Sequence, residues 1–134
     1  MIEESIKLRV RYAETDQMGF VYYGNYAEYL EIGRVAAMKK AGVSYRRLEE
    51  EGIGLPVRDM KIKYLRAALY DDEIEVITKI KEMPDRLIVF EYEIKRGEEL
   101  LVEAETTLFF MDKESKKVIR IPQDMKDQLK PFFS

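Results

Sequence analysis

Hydrophobic and polar residues alternate from Ser5 to Tyr12. Ile6, Leu8, Val10 and Tyr12 fall on one side, and Lys7, Arg9 and Arg11 on the other. A period of two predicts a half-buried strand. Glu14 to Tyr23, with Gly19 inside it, breaks the pattern and reads as a loop. From Tyr26 the period changes. Tyr26, Leu30, Gly33, Ala37 and Ala41 recur at spacings of three and four, with Tyr29 and Ala36 beside them. That spacing predicts a helix with one buried face, and its small residues permit close approach to a sheet. Asn25 and Glu28 have the spacing of a capping box, and Gly42 is placed to end the helix. Ser44 is then placed to cap a short helix through Glu51, ended by Gly52.

The rest of the chain is rich in strands. Leu55 to Leu65 mostly alternates: Val57, Asp59, Lys61 and Lys63 share one parity, and Met60, Ile62 and Tyr64 the other. Pro56 marks an edge or a strand start. Asp71-Asp72 makes a turn. Ile74, Val76, Thr78 and Ile80 alternate with charged neighbours. Pro84-Asp85 turns the chain into a strand from Leu87 to Lys95. Gly97 sits in a tight hairpin leading to Leu101–Met111, and Asp112 to Lys116 turns again. Val118 to Ile121 reads as a short strand or irregular chain, and Pro122 starts a last helix, Gln123 to Leu129. The order is strand, long helix, then four or more antiparallel strands. The predicted class is α+β, with the sheet curled around one long helix. Residues 1–134 are expected to form one domain. A dimer joined edge to edge would cover the exposed strands.

Composition narrows the chemistry. The chain contains no cysteine and no histidine. Disulfides, thiolate nucleophiles, imidazole bases and Cys- or His-based metal sites are therefore excluded. No metal or cofactor is expected. The net charge of -3 gives no general attraction to nucleic acid. No run approaches the ~20 apolar residues of a membrane span, and the acidic start, Met1-Ile2-Glu3-Glu4, is unlike a signal peptide. A cytoplasmic protein without stable membrane insertion is expected.

Acid–base work therefore falls to carboxylates, lysines, tyrosines or water. Asp16 is the leading candidate. Thr15, Gln17 and Gly19 surround it, and the helix begins several residues later. It has two roles open to it: nucleophile on an activated acyl group, or base that deprotonates water. Amides near Tyr23, Gly24, Asn25 and Tyr26, at the entrance to the helix, are placed to receive a carbonyl oxygen that becomes negative. Gly24 is the best local candidate because it carries no side chain to block a ligand. Tyr22, Tyr23, Tyr26, Tyr29 and Tyr64 are candidates to line an acyl or aryl pocket. Arg58, Lys61, Lys63 and Arg66 are the best basic cluster for the phosphates of a large anionic ligand. Glu31 and Arg34 are spaced for an ion pair or a dimer contact, with a polar site role for Glu31 as the alternative.

Val10-Arg11-Tyr12-Ala13-Glu14-Thr15-Asp16-Gln17-Met18-Gly19-Phe20-Val21-Tyr22-Tyr23-Gly24-Asn25-Tyr26 resembles the signature of the 4-hydroxybenzoyl-CoA thioesterase-like proteins, and more closely the YbgC-type acyl-CoA thioesterases of the hotdog superfamily. The similarity continues through Glu31-Ile32-Gly33-Arg34, Gly42-Val43-Ser44-Tyr45, Val57 to Asp72 and Thr106 to Asp112. It implies a hotdog fold, with a long central helix wrapped by about five antiparallel strands. It implies hydrolysis of an acyl-CoA thioester, with a short-to-medium or aromatic acyl group, to free acid and coenzyme A. It also implies homodimers, often paired into tetramers, with sites at subunit interfaces. Asp16 falls on the family's catalytic aspartate, and Gly24 at the helix start associated with the thioester carbonyl. Gly19, Val21, Tyr22, Asn25 and Tyr26 fall in the substrate-binding block, with Arg58, Lys61 and Lys63 as candidates for the coenzyme A phosphates. Tyr23 stands where many YbgC-type members have histidine, and Ala67 where the family often has proline. The alternative implied by the Tyr23 departure is a protein that binds acyl-CoA or acyl-carrier-protein thioesters with little or no hydrolysis.

Overall fold

A computed structural model describes residues 1–133. Its elements run β1 (Ile2–Arg9), α1 (Tyr26–Lys40), α2 (Tyr45–Glu50), β2 (Ile53–Gly54), β3 (Val57–Tyr64), β4 (Glu73–Ile80), β5 (Leu87–Arg96), β6 (Glu99–Asp112), β7 (Val118–Ile119) and α3 (Gln123–Leu129). Short 3-10 turns cover Tyr12–Glu14 and Tyr23–Asn25, the second leading directly into α1. All strand pairs are antiparallel. The order is β1-β4-β5-β6; β3 pairs along the middle of β6, and β2 and β7 pair with its last residues.

Alternation sets which face is covered. Ile74, Val76, Thr78 and Ile80 of β4, and Ile88, Phe90, Tyr92 and Ile94 of β5, are all buried. They meet Tyr26, Tyr29, Leu30, Gly33, Ala37 and Met38 of α1, which are buried as well. Each large side chain so covered contributes roughly 1.5–3 kcal/mol of hydrophobic stabilisation. Gly33 lets the helix lie close: a Cβ there would come 2.5 Å from Thr78 Oγ1 and 2.8 Å from Val76 Cγ1. This arrangement of sheet and central helix is the hotdog fold.

The helix ends as its sequence predicts. Gly42, at φ +86°, donates to Lys39 O, and Val43 donates to Met38 O. Those two bonds satisfy the last carbonyls in a Schellman motif. Ser44 caps α2 by accepting from the Arg47 amide. Three other expectations are corrected. The first strand stops at Arg9. Tyr12, expected on its buried side, is 77% exposed because the chain turns at Tyr12–Glu14. Asn25 does not cap α1: its backbone is already helical and its Nδ2 donates to Glu14 O at 2.8 Å. Glu31 and Arg34 form no ion pair among the described residues; Glu31 faces solvent, and Arg34 is buried.

Candidate active site at the start of the central helix

The loop between β1 and α1 is held by its own backbone. Thr15 and Val21 form an antiparallel bridge, and the Asp16 amide donates to Phe20 O at 2.8 Å. Gly19, at φ +79°, turns the chain between them. Asp16 closes the turn with its side chain: Oδ1 accepts from the Met18 amide at 2.8 Å and the Phe20 amide at 3.2 Å. This is the local capture of backbone amides that makes Asp a turn residue. It also fixes the carboxylate plane while Oδ2 makes no hydrogen bond among the described residues.

Asp16 lines a cleft of about 530 Å³ with Phe20, Val21, Tyr22, Tyr23, Tyr26, Tyr64, Leu65, Arg66 and Ala67. The walls are largely aromatic. The Tyr26 and Tyr64 rings meet edge to face at 5.4 Å, and the Tyr22 and Tyr23 rings lie 4.6 Å apart. Tyr26 Oη accepts from the Ala68 amide at 3.1 Å, and the Tyr64 hydroxyl donates to Tyr23 O at 3.4 Å. Burial pushes the Tyr26 and Tyr64 hydroxyls above the ordinary tyrosine value, and the adjoining Tyr23 hydroxyl does the same for Tyr22. These three phenols are therefore donors at neutral pH. In the 3-10 turn that leads into α1, the Tyr23 and Gly24 amides make no backbone hydrogen bond among the described residues. Such free amides at a helix start suit a developing negative charge.

A family model described as the thioesterase-like superfamily matches residues 10–129. The chain belongs to that superfamily. It is 37% identical over 122 residues to the putative acyl-CoA thioesterase YneP of Bacillus subtilis, covering 90% of this chain and 88% of that one. It is 31% identical over 124 residues to the acyl-CoA thioester hydrolase YbgC of Escherichia coli, with 92% of each chain covered. Among solved structures it resembles the DHNA-CoA thioesterase of Staphylococcus aureus, with a TM-score of 0.93, 32% identity, and coverage of 98% of this chain and 91% of that one.

In this member of the superfamily, seven of the residues singled out from sequence meet in the cleft: Asp16, Val21, Tyr22, Tyr23, Tyr26, Tyr64 and Arg66; Tyr29, expected to line it, is instead buried in the core. Gly19, Gly24 and Asn25 are not among the residues that line the cleft. Gly24 has a neighbour the sequence did not reveal. A Cβ there would lie 2.9 Å from the Tyr22 ring, so the missing side chain makes room for that tyrosine. The basic residues are dispersed. Arg58 sits at a register shift in β3 and pairs with Asp59 at 3.3 Å. Lys61 and Lys63 lie on the outer face of the sheet, around a separate hollow of about 490 Å³ shared with Lys79, Glu91 and Glu105. Arg66 does reach the cleft, paired with Glu99 at 3.2 Å.

Sequence reasoning passed over Glu14. Its side chain is buried beneath the loop and takes four hydrogen bonds. Oε1 accepts from the Arg11 amide at 2.8 Å and from the Tyr29 hydroxyl at 2.9 Å; Oε2 accepts from Arg11 Nε at 3.2 Å and Nη2 at 3.0 Å. Burial alone raises its pKa, but the Arg11 amide, the Tyr29 hydroxyl and the Arg11 guanidinium outweigh that and hold it below its ordinary value. Tyr29 moves up in turn, through burial first and the Glu14 carboxylate second. The three-residue spacing from Arg11 is the only local signal of this arrangement.

Proposed function

We propose that this protein hydrolyses an acyl-CoA thioester, with Asp16 acting on the acyl carbon directly or through water. The observation that carries the reading is the meeting, in one aromatic cleft, of an oriented carboxylate and a helix start with free amides. The thioester carbonyl points at the Tyr23 and Gly24 amides, which receive its negative charge as the tetrahedral intermediate forms. Collapse of that intermediate breaks the C–S bond and releases coenzyme A thiolate. Its thiol has a pKa near ~8.5, so departure needs little acid assistance and no histidine. Net consumption is one water per thioester, giving a carboxylic acid and a thiol.

The relatives named as acyl-CoA thioesterases support coenzyme A as the carrier. The four tyrosines of the cleft favour an aromatic or short-to-medium acyl group. A second copy of the chain completes the site in this reading. Val57, Met60, Tyr64 and Leu65 leave an apolar band exposed along the unpaired edge of β3, suited to an edge-to-edge homodimer that associates further to a tetramer. Of the basic set, Arg66, which lines the acyl cleft, is assigned to the coenzyme A phosphates; Lys61 and Lys63, around the separate outer hollow, are not. Tyr23, a phenol where many YbgC-type members have histidine, favours a second reading as an acyl-thioester-binding protein with weak turnover, including thioesters of an acyl carrier protein.

Thiol release from acetyl-, hexanoyl-, palmitoyl- and 4-hydroxybenzoyl-CoA, with Asp16→Asn beside the parent, tests the proposal. Hydrolysis of one class, lost in Asp16→Asn, is expected. Full hydrolysis by Asp16→Asn overturns the role of Asp16. A folded parent that binds acyl-CoA without releasing thiol favours the second reading.

A further inference from the structure

Glu14 joins both arms of the loop to the helix. Its carboxylate reaches Tyr29, one turn inside α1, at 2.9 Å. Its backbone carbonyl accepts from the Tyr22 amide at 2.9 Å and from Asn25 Nδ2 at 2.8 Å. Its amide donates to Arg11 O at 3.0 Å. Asp16 lies two residues beyond on the first arm; Tyr23 and Gly24 lie between the two residues that bond the carbonyl on the second. Glu14 thus lies two residues before Asp16 and bonds the chain on both sides of the Tyr23–Gly24 turn. It is also the only buried carboxylate among the described residues.

We infer that Glu14 is a positioning residue, whose carboxylate and carbonyl together set the separation between the Asp16 carboxylate and the amides at the start of α1. The inference rests on the thioesterase reading above. A carboxylate at Glu14 does not face the cleft, so it touches no substrate atom. It acts through Asp16 and the Tyr23–Gly24 turn. The geometry has the form that catalysis requires: reacting groups held by a partner whose own position is fixed by several bonds, since displacement by about 1 Å is enough to cost ~100-fold in rate. Packing alone does not require a charge here, because a neutral amide of the same size fills the space. The charge matters for holding two donors on one oxygen and a guanidinium on the other.

The test is Glu14→Gln, with Tyr29→Phe beside it as the milder variant, measured on the acyl-CoA that the parent hydrolyses. Binding of a non-hydrolysable thioether analogue of that acyl-CoA is measured in parallel, with melting temperature and circular dichroism reporting the folded fraction. The expected result for Glu14→Gln is a kcat lower by roughly 10- to 100-fold per folded molecule. KM and the analogue's Kd stay within about twofold, the pattern of an interaction expressed only in the transition state. Tyr29→Phe shows the same split at smaller size, and it alone is read if Glu14→Gln does not fold. A residue that only stabilises the fold lowers the melting temperature and leaves kcat per folded molecule unchanged; that outcome overturns the inference. The Asp16→Asn protein separates the two levels. If Asp16→Asn is inactive while Glu14→Gln and Tyr29→Phe keep full kcat, the positioning role fails and the thioesterase reading stands. If Asp16→Asn retains full hydrolysis, the catalytic role of Asp16 fails and the positioning role falls with it.

Discussion

Glu14 and Arg34 are both buried charges packed at α1, 8% and 7% exposed, yet their surroundings are opposite. The Glu14 carboxylate has donors on both oxygens. Arg34 Nε and Nη1 meet no acceptor among the described residues, and the nearby hydroxyls of Tyr45 and Thr78 are unbonded as well. Arg34 holds down the Tyr45 pKa only against a larger upward push from burial. A buried charge costs several kcal/mol unless it is paired. At the N-terminal end of the helix that cost is offset by bonds that also shape the site. In the middle of the helix it is not offset within one chain, and the helix there is located by contact at Gly33 instead. The start and the middle of one helix are thus held by different physics: directional bonds at the site, steric fit behind it.

The strongest challenge to that contrast is Glu14→Ala, which strands the Tyr29 hydroxyl and the Arg11 amide. A loss of about 2–3 kcal/mol in urea denaturation is expected; a loss below about 0.5 kcal/mol would mean the bonds at Glu14 hold nothing. Gly33→Ala comes next. The added methyl meets two buried strand side chains, and overpacking of this kind costs about 1–3 kcal/mol. A neutral result would show that the helix is free to lift. Arg34→Met is smaller and has the opposite sign. With no acceptor to lose, the variant should match the parent or gain about 1 kcal/mol, read as melting temperature at fixed protein concentration. A clear loss would instead place an acceptor for Arg34 on a second copy of the chain.

The smallest effect is in pH. Glu14 has a folded-state pKa below its ordinary 4.5. Its contribution to stability is therefore full above that ordinary value and is lost as pH falls through the lowered folded one. The gap in melting temperature between the parent and Glu14→Gln should narrow from about pH 6 to about pH 3. A gap that widens on acidification would reverse the assignment.

Strand alternation makes much of this fold legible in the sequence. The covered face of β4 follows from parity alone, and the end of α1 from Gly42. Parity also placed Lys61 and Lys63 opposite Tyr64, although grouping them with Arg58 and Arg66 by charge obscured it. The misread features depend on partners distant in sequence. Asn25 looks like a cap locally, but its side chain serves Glu14 eleven residues earlier. Glu14 looks like an ordinary loop acid until Tyr29, fifteen residues later, is brought onto it. The Asp16 loop was legible because Asp and Gly act within a few residues of themselves. The cleft was only partly so, since Leu65, Arg66 and Ala67 arrive from the far end of β3.

Gly33 sits seven residues after Tyr26, about 10 Å along the helix axis. A rigid rod resting on a point that far from its tip behaves as a lever. A tilt of about 5° at Gly33 swings the first turn by about 1 Å, a displacement that chemistry registers. The hydrogen atom that glycine carries in place of a methyl is thus a spacer for the cleft. Selection acting on the site can be exerted through a residue that a substrate never meets.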